Sequence, residues 1–194
     1  MSSTRRLTVI SLLSVIAFGL MIFPTFPLIP GAAFLKIDFS IVPILLGAFL
    51  LDLRSGYLIL LIRTILKLLL ANQGVSDYIG LPMNIIAMGV FLTVVYMGVR
   101  GAKNFSIRRY TISVFFASLA LTTVMVILNY VYAVPLYAAF ANFDINKMIG
   151  LANYLLYMVI PFNLVQGLIL GLATGVVYFA LQPFIKRTAK ELVK

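Results

Sequence analysis

The sequence predicts an all-α integral membrane protein: a single transmembrane domain (1–194) folded as a six-transmembrane-helix bundle with both termini cytoplasmic. Two observations place it in lipid and a third orients it. Hydrophobic residues make up 63% of the chain and charged residues 10%, whereas a soluble domain carries roughly 25% charged residues. So few charges cannot cover a water-facing surface. The apolar residues fall into long runs, and roughly 20 of them cross a hydrocarbon core. The cations gather on one side of those runs.

Taken in order, the spans are expected at about 7–23, 34–51, 55–71, 81–99, 111–134 and 151–182. The first ends at Pro24, Pro27 and Pro30, in an apolar loop that runs to Asp38. The second lies between Asp38 and Asp52. From Phe39 it is too short for a bilayer, so it either recruits the residues before it or packs against other helices without facing lipid. The last is too long for a straight span and contains Pro161, so the part before Pro161 reads as a separable interfacial segment. Six spans place Arg5, Arg6, Arg54, Arg100, Lys103, Arg108, Arg109 and the tail cations Lys186, Arg187, Lys190 and Lys194 on one face. The other face receives Lys36 and Lys147. That asymmetry makes the first face cytoplasmic. It also accounts for the net charge of +10 as an orientation signal, with some anionic-lipid contact and no need of nucleic acid. Arg5-Arg6 ahead of an apolar run has the look of an export signal. The run is long, no convincing small-residue cleavage site follows directly, and further spans come after it, so it reads as a retained helix.

The chain lacks cysteine and histidine, which removes disulfides and the commonest general base and metal ligand. No acid pair lies within a helix, and neither a Gly-x-Ser-x-Gly motif nor a P-loop is present. An intramembrane enzyme is therefore disfavoured, and the chain cannot power transport by its own ATP hydrolysis. A solitary secondary transporter usually couples through intramembrane acids, and none is seen. No metal or cofactor is implied.

Two cations fall inside the predicted membrane: Arg63 and Lys67, four apart on one face of the third span. Each costs about 2.5–3.5 kcal/mol at mid-membrane on insertion scales. Lys67 is near enough its helix end to snorkel. Arg63 is deeper. Either it pairs with backbone carbonyls or a loop acid such as Asp38, or a bound anion completes the site. A second set of polar residues lies toward the outer halves of later spans: Asn84, Asn129 with Tyr130, Tyr137 after Pro135, and Asn163 with Gln166 after Pro161. Lone asparagines in membrane helices are often interhelical glue, but several at one level suggest a binding site. Tyr78, Tyr154 and Tyr157 read as interface-belt residues. On the first span Ser11, Val15 and Gly19 recur every four residues with Ser14 beside them, a small-residue stripe suited to close packing within the bundle or on another subunit.

These residues carry a family resemblance that runs nearly end to end. Ser11-Leu12-Leu13-Ser14, Lys36-Ile37-Asp38-Phe39-Ser40 leading to Pro43, Ile127-Leu128-Asn129-Tyr130 before Pro135-Leu136-Tyr137, and Ile160-Pro161-Phe162-Asn163 leading to Gly167 occur in matching order and spacing. The chain resembles the substrate-binding S component of an energy-coupling factor (ECF) vitamin importer of the riboflavin/pantothenate type. The resemblance implies capture of a water-soluble vitamin from outside the cell membrane. It also implies a membrane coupling (T) subunit docked on the small-residue face of the first helix, and two cytoplasmic ATPase subunits as partners. The loop holding Pro27, Pro30 and Asp38 is the expected lid. Three departures bear on the substrate: Gln166 stands where riboflavin-binding members usually have lysine, Ile41 where they have an acid, and Arg63-Thr64 where they have Lys-Asn. A lost lysine and a new cation pair favour a carboxylate vitamin, because arginine holds carboxylates bidentately. Pantothenate is accordingly the expected substrate, held by Arg63 and Lys67, with riboflavin the alternative.

Overall fold

Ile41–Leu50 is apolar on every side, and an all-apolar helix belongs in an interior. In the computed structural model, which describes residues 3–28, 35–100 and 106–192 (side chains to 182), this ten-residue helix (α2) is the bundle's core. Its residues Ile41 to Ala48 are all buried. It packs on α1 (Ser3–Ile22), α3 (Leu53–Leu70), α4 (Val75–Val99) and α9 (Ile160–Leu192). Residues 34–37, expected as part of this span, are not helical where described: Lys36–Ile37 is a short strand (β2) paired antiparallel with Phe26–Pro27 (β1). Pro43 fits in the first turn, where a missing N–H costs nothing.

Asp52 caps α3 through a carboxylate that accepts from the Ser55 N–H at 2.8 Å, the arrangement that satisfies an orphan donor at a helix start. Arg6 of α1 reaches the same carboxylate at 2.6 Å, tying the two helix starts together. The chain reverses after α3 through Gly74, whose φ of 78° is easily reached only by glycine.

α5 (Ile107–Leu128) runs through a π-helical turn, Asn129–Ala133, into α6 (Val134–Phe140). After the short α7 (Ile145–Met148) and α8 (Leu151–Asn153), a second π turn, Tyr154–Val159, leads into α9. Each π turn sits just before a proline, Pro135 or Pro161. Proline removes one ladder hydrogen bond and crowds the carbonyl four residues back, and a widened turn relieves both. The stretch before Pro161, expected as a separable segment, is thus continuous with α9. Among the described residues, four helical stretches are long and apolar enough to cross a membrane: Ser3–Ile22, Val75–Val99, Ile107–Phe140 and Leu151–Gln182. α2 is too short, and α3 carries Arg54, Arg63 and Lys67.

α4 lies along α5, and α5 along α9. α1 is the most exposed helix. Ser11, Val15 and Gly19 all face outward, and a Cβ added at Gly19 meets nothing within 4 Å. Ser14, expected on the same outward stripe, is instead fully buried and donates to the Ile10 carbonyl. The reason is angular: Ser14 lies three residues from Ser11 and five from Gly19, so it turns toward the bundle.

Candidate functional site

Three helices that pack tightly at one end separate at the other, because α5 and the approach to α9 are widened there by π turns. The opening is a cavity of about 170 Å³. Its walls are Met83, Asn84 and Met88 of α4, Met125 of α5, Asn129 and Ala133 of the first π turn, Tyr137, Tyr154 of the second, and Phe162, Asn163 and Gln166 of α9. Leu35 and Lys36 cover it from the β1–β2 loop.

The asparagines are partnered unequally. The Asn129 amide donates to the Met125 carbonyl at 2.7 Å, and its oxygen accepts from the Tyr154 hydroxyl at 2.7 Å. Both ends of that side chain are engaged, so it braces the wall. The Asn163 amide donates to the Val159 carbonyl at 2.7 Å, while its Oδ1 is buried without a partner. A buried orphan acceptor costs about 1–3 kcal/mol, and beside a cavity a bound water, ion or ligand donor can relieve that cost. Asn84 uses its oxygen to accept from Arg63 Nη2 at 2.7 Å, which leaves its –NH₂ to offer the cavity.

Arg63 is fully buried. Besides Asn84 it reaches Met21 Sδ at 2.8 Å through Nη1, and its Nε has no partner. Asp38 is the acid whose field reaches it. Arg63 therefore stands behind Asn84 and does not itself line the main cavity. Lys67 departs from the sequence expectation more clearly. Its Nζ forms an ion pair with Asp77 at 2.7 Å and donates to the Ala71 carbonyl. The reversal at Gly74 brings the first turn of α4 back over the last turn of α3, so an acid assigned to a loop becomes the partner of an intramembrane lysine. Lys67 lines a second cavity of about 180 Å³, with Met21, Thr25, Lys36, Asp38 and Gln73. Lys36 borders both cavities.

Of the expected site residues, Asn84, Asn129, Tyr137, Asn163 and Gln166 are brought together around the first cavity, and Lys67 and Asp38 around the second. Tyr130 is 59% exposed and turned away from both. Pro27 pairs with Lys36 in the β1–β2 hairpin, and Pro30 lies outside the described residues. Sequence reasoning missed Tyr154, read as an interface tyrosine and in fact 3% exposed. It also missed the wall residues Met83, Met88, Met125 and Phe162, whose apolar character carries no signal that separates a wall from a core. For Tyr154 the available signal was Pro161, seven residues on: the turn widened to admit the proline is the one that turns the tyrosine inward.

Residues 5–178 match the family described as "ECF transporter, substrate-specific component". The chain belongs to that family, whose members are the substrate-binding components of a transporter and not enzymes. It is 44% identical over 184 residues to the riboflavin transporter RibU of Leuconostoc mesenteroides, with 94% of each chain covered. It is 48% identical over 185 residues to the riboflavin transporter RibU of Streptococcus thermophilus, covering 95% of this chain and 86% of that one. A solved structure described as "Structure and mechanism of the S component of a bacterial ECF transporter" superposes with a TM-score of 0.78 at 30% identity, over 95% of this chain and 99% of the other. The chain is accordingly a multi-pass protein of the bacterial cell membrane.

Proposed function

We propose that this S component captures riboflavin. The observation that carries the reading is the unpartnered Asn163 Oδ1, buried in a cavity that also presents the Asn84 –NH₂. The imide edge of a flavin has one N–H between two carbonyls, so it supplies a donor to Asn163 and an acceptor to Asn84. Phe162, Tyr154 and the methionines offer apolar faces to the flat ring. The ribityl chain extends past Lys36 toward the second cavity, where Asp38, Lys67 and Gln73 can meet its hydroxyls. The names of the relatives support the same vitamin.

Pantothenate, the substrate favoured on sequence, loses its ground. That argument required two cations awaiting a carboxylate. Lys67 is paired with Asp77, Arg63 stands behind Asn84 off the main cavity, and the similar proteins are riboflavin transporters. In this reading Asn84, Asn163 and Gln166 contact the vitamin, Asn129 and Tyr137 shape the pocket, and Arg63 orients Asn84. The β1–β2 loop acts as the lid. The bundle has six main helices, with the short α2 enclosed by the others, and both termini are cytoplasmic. The outward face of α1 (Ser11, Val15, Gly19) meets a coupling subunit that works with two ATPases.

Equilibrium binding of the purified protein tests the reading, with riboflavin followed by flavin fluorescence quenching and pantothenate by calorimetry. Tight riboflavin binding without pantothenate binding is expected. Pantothenate binding that is lost in Arg63→Met would overturn it.

A further inference from the structure

The vitamin cavity is walled by side chains that a light-absorbing occupant can damage. Met83, Met88 and Met125 line it beside Tyr137, Tyr154 and Phe162, and a pocket that buries most of its ligand holds a flat ring against such side chains. A flavin absorbs blue light, and its excited state is a strong one-electron oxidant. Left alone, that state passes to the triplet, which degrades the vitamin's own side chain and activates dioxygen. One activated dioxygen molecule converts two methionine thioethers into two sulfoxides. A fast electron donor against the ring prevents both outcomes.

The chain has no tryptophan, histidine or cysteine, so tyrosine is the most readily oxidised ring it can offer. Among the described residues, Tyr137 and Tyr154 are the tyrosines that border the cavity. Tyr137 is half-buried, whereas Tyr154 is buried in the wall at the start of the second π turn. The Tyr154 hydroxyl donates to Asn129 Oδ1 at 2.7 Å, and Asn129 is itself fixed by donating to the Met125 carbonyl. Loss of an electron makes a phenol hydroxyl strongly acidic. A hydrogen bond already formed to an amide oxygen then strengthens, which lowers the cost of the oxidation.

We infer that Tyr154 is the electron donor that returns a photoexcited flavin to its ground state in this cavity, an inference resting on the riboflavin reading above. One electron passes from the Tyr154 ring to the excited flavin, leaving a tyrosine radical cation and a flavin radical anion. The hydroxyl proton stays in its hydrogen bond, since a neutral amide is too weak a base to keep it. The same electron then returns, so no bond breaks and the absorbed energy leaves as heat. The pocket thereby holds its vitamin in a dark, photostable form.

Time-resolved fluorescence and transient absorption of the detergent-purified chain, saturated with riboflavin, test this, with bound vitamin measured separately by equilibrium dialysis. In the wild type a flavin radical anion is expected to appear as emission is lost, and to decay without product. Tyr154→Phe keeps the ring and removes the phenol. Its emission per bound riboflavin is expected to recover most of the free vitamin's value, and its radical signal to vanish. Blue light is then expected to bleach the bound vitamin faster and to raise sulfoxide at Met88 and Met125 in peptide mass spectra. Tyr137→Phe is expected to stay dark. Riboflavin that binds Tyr154→Phe and remains dark overturns the inference, as does recovery in Tyr137→Phe instead. Wild-type quenching without a tyrosine–flavin radical pair also overturns it, and that measurement needs no variant to fold. A wild type that binds no riboflavin overturns the underlying riboflavin reading.

Discussion

The same three helices, α4, α5 and α9, are packed to opposite standards at their two ends. At one end glycines meet side chains so closely that no Cβ fits: Gly98 faces Ser113, Gly171 faces Val114, and Gly175 would bring a Cβ to 2.9 Å from the Tyr110 ring. The Tyr110 hydroxyl donates to the Gly171 carbonyl at 2.6 Å. At the other end the helices part around Asn84, Asn129, Asn163 and Gln166, and an acceptor is left unsatisfied. Lipid tails are as apolar as leucine, so helices in a membrane gain little from apolar burial and associate through close contact and interhelical hydrogen bonds. The tight end holds the bundle together. The loose end can then keep a cavity and an orphan acceptor at a cost of a few kcal/mol.

The largest expected effect breaks the tight end. Gly171→Leu forces a side chain into Val114 and should cost about 3 kcal/mol, read as loss of a monodisperse peak when a fluorescent fusion is heated before size-exclusion chromatography. Gly19→Leu, placed on the open face of α1, should leave that melting point unchanged. Equal melting of the two variants would mean that glycine packing does not hold the bundle.

Next in size is Asn163→Leu at the loose end. Riboflavin affinity should fall by about 10- to 100-fold with thermal stability kept or raised, because the substitution removes a buried orphan acceptor. A fall in both quantities would recast the amide ring as structural glue.

Arg63→Met keeps much of the volume and removes the group that orients Asn84. A loss of about tenfold in riboflavin affinity is expected, with an Arg63–Asn84 coupling of about 1 kcal/mol in a double-mutant cycle. Additive effects of Arg63→Met and Asn84→Ala would separate the two residues.

The smallest effect lies outside both ends, at the Arg6–Asp52 link. Partial burial alone would raise the Asp52 pKa, but the Ser55 N–H and hydroxyl and the Arg6 guanidinium outweigh it and hold the carboxyl below its ordinary value. A depressed carboxylate stabilises the fold above its unfolded pKa and ceases to do so as pH falls through the folded one. Wild type and Asp52→Asn should therefore differ by under about 1 kcal/mol at pH 7 and converge below about pH 4. A pH-independent difference would assign the link to hydrogen bonding alone.

The membrane class, the helical bundle and most of the amide ring were legible in the residues. Long apolar runs read the same in any context, and asparagines in apolar helices stand out against their neighbours. Lys67 was misjudged because its partner Asp77 is ten residues away on the next helix, and only the reversal at Gly74 brings them together. That contact removes one of the two cations on which the pantothenate expectation rested.

The sequence by itself determined that this chain lives in lipid, where its helices run and which polar residues its spans must accommodate. These follow from composition and local periodicity, which need no partner. The tertiary structure alone decided that α2 is the core, that Ser14 turns inward, that Tyr154 braces Asn129 and that Asn163 keeps a free acceptor. Those outcomes depend on which residues of different helices meet across the bundle, and no local pattern in the chain encodes such a meeting.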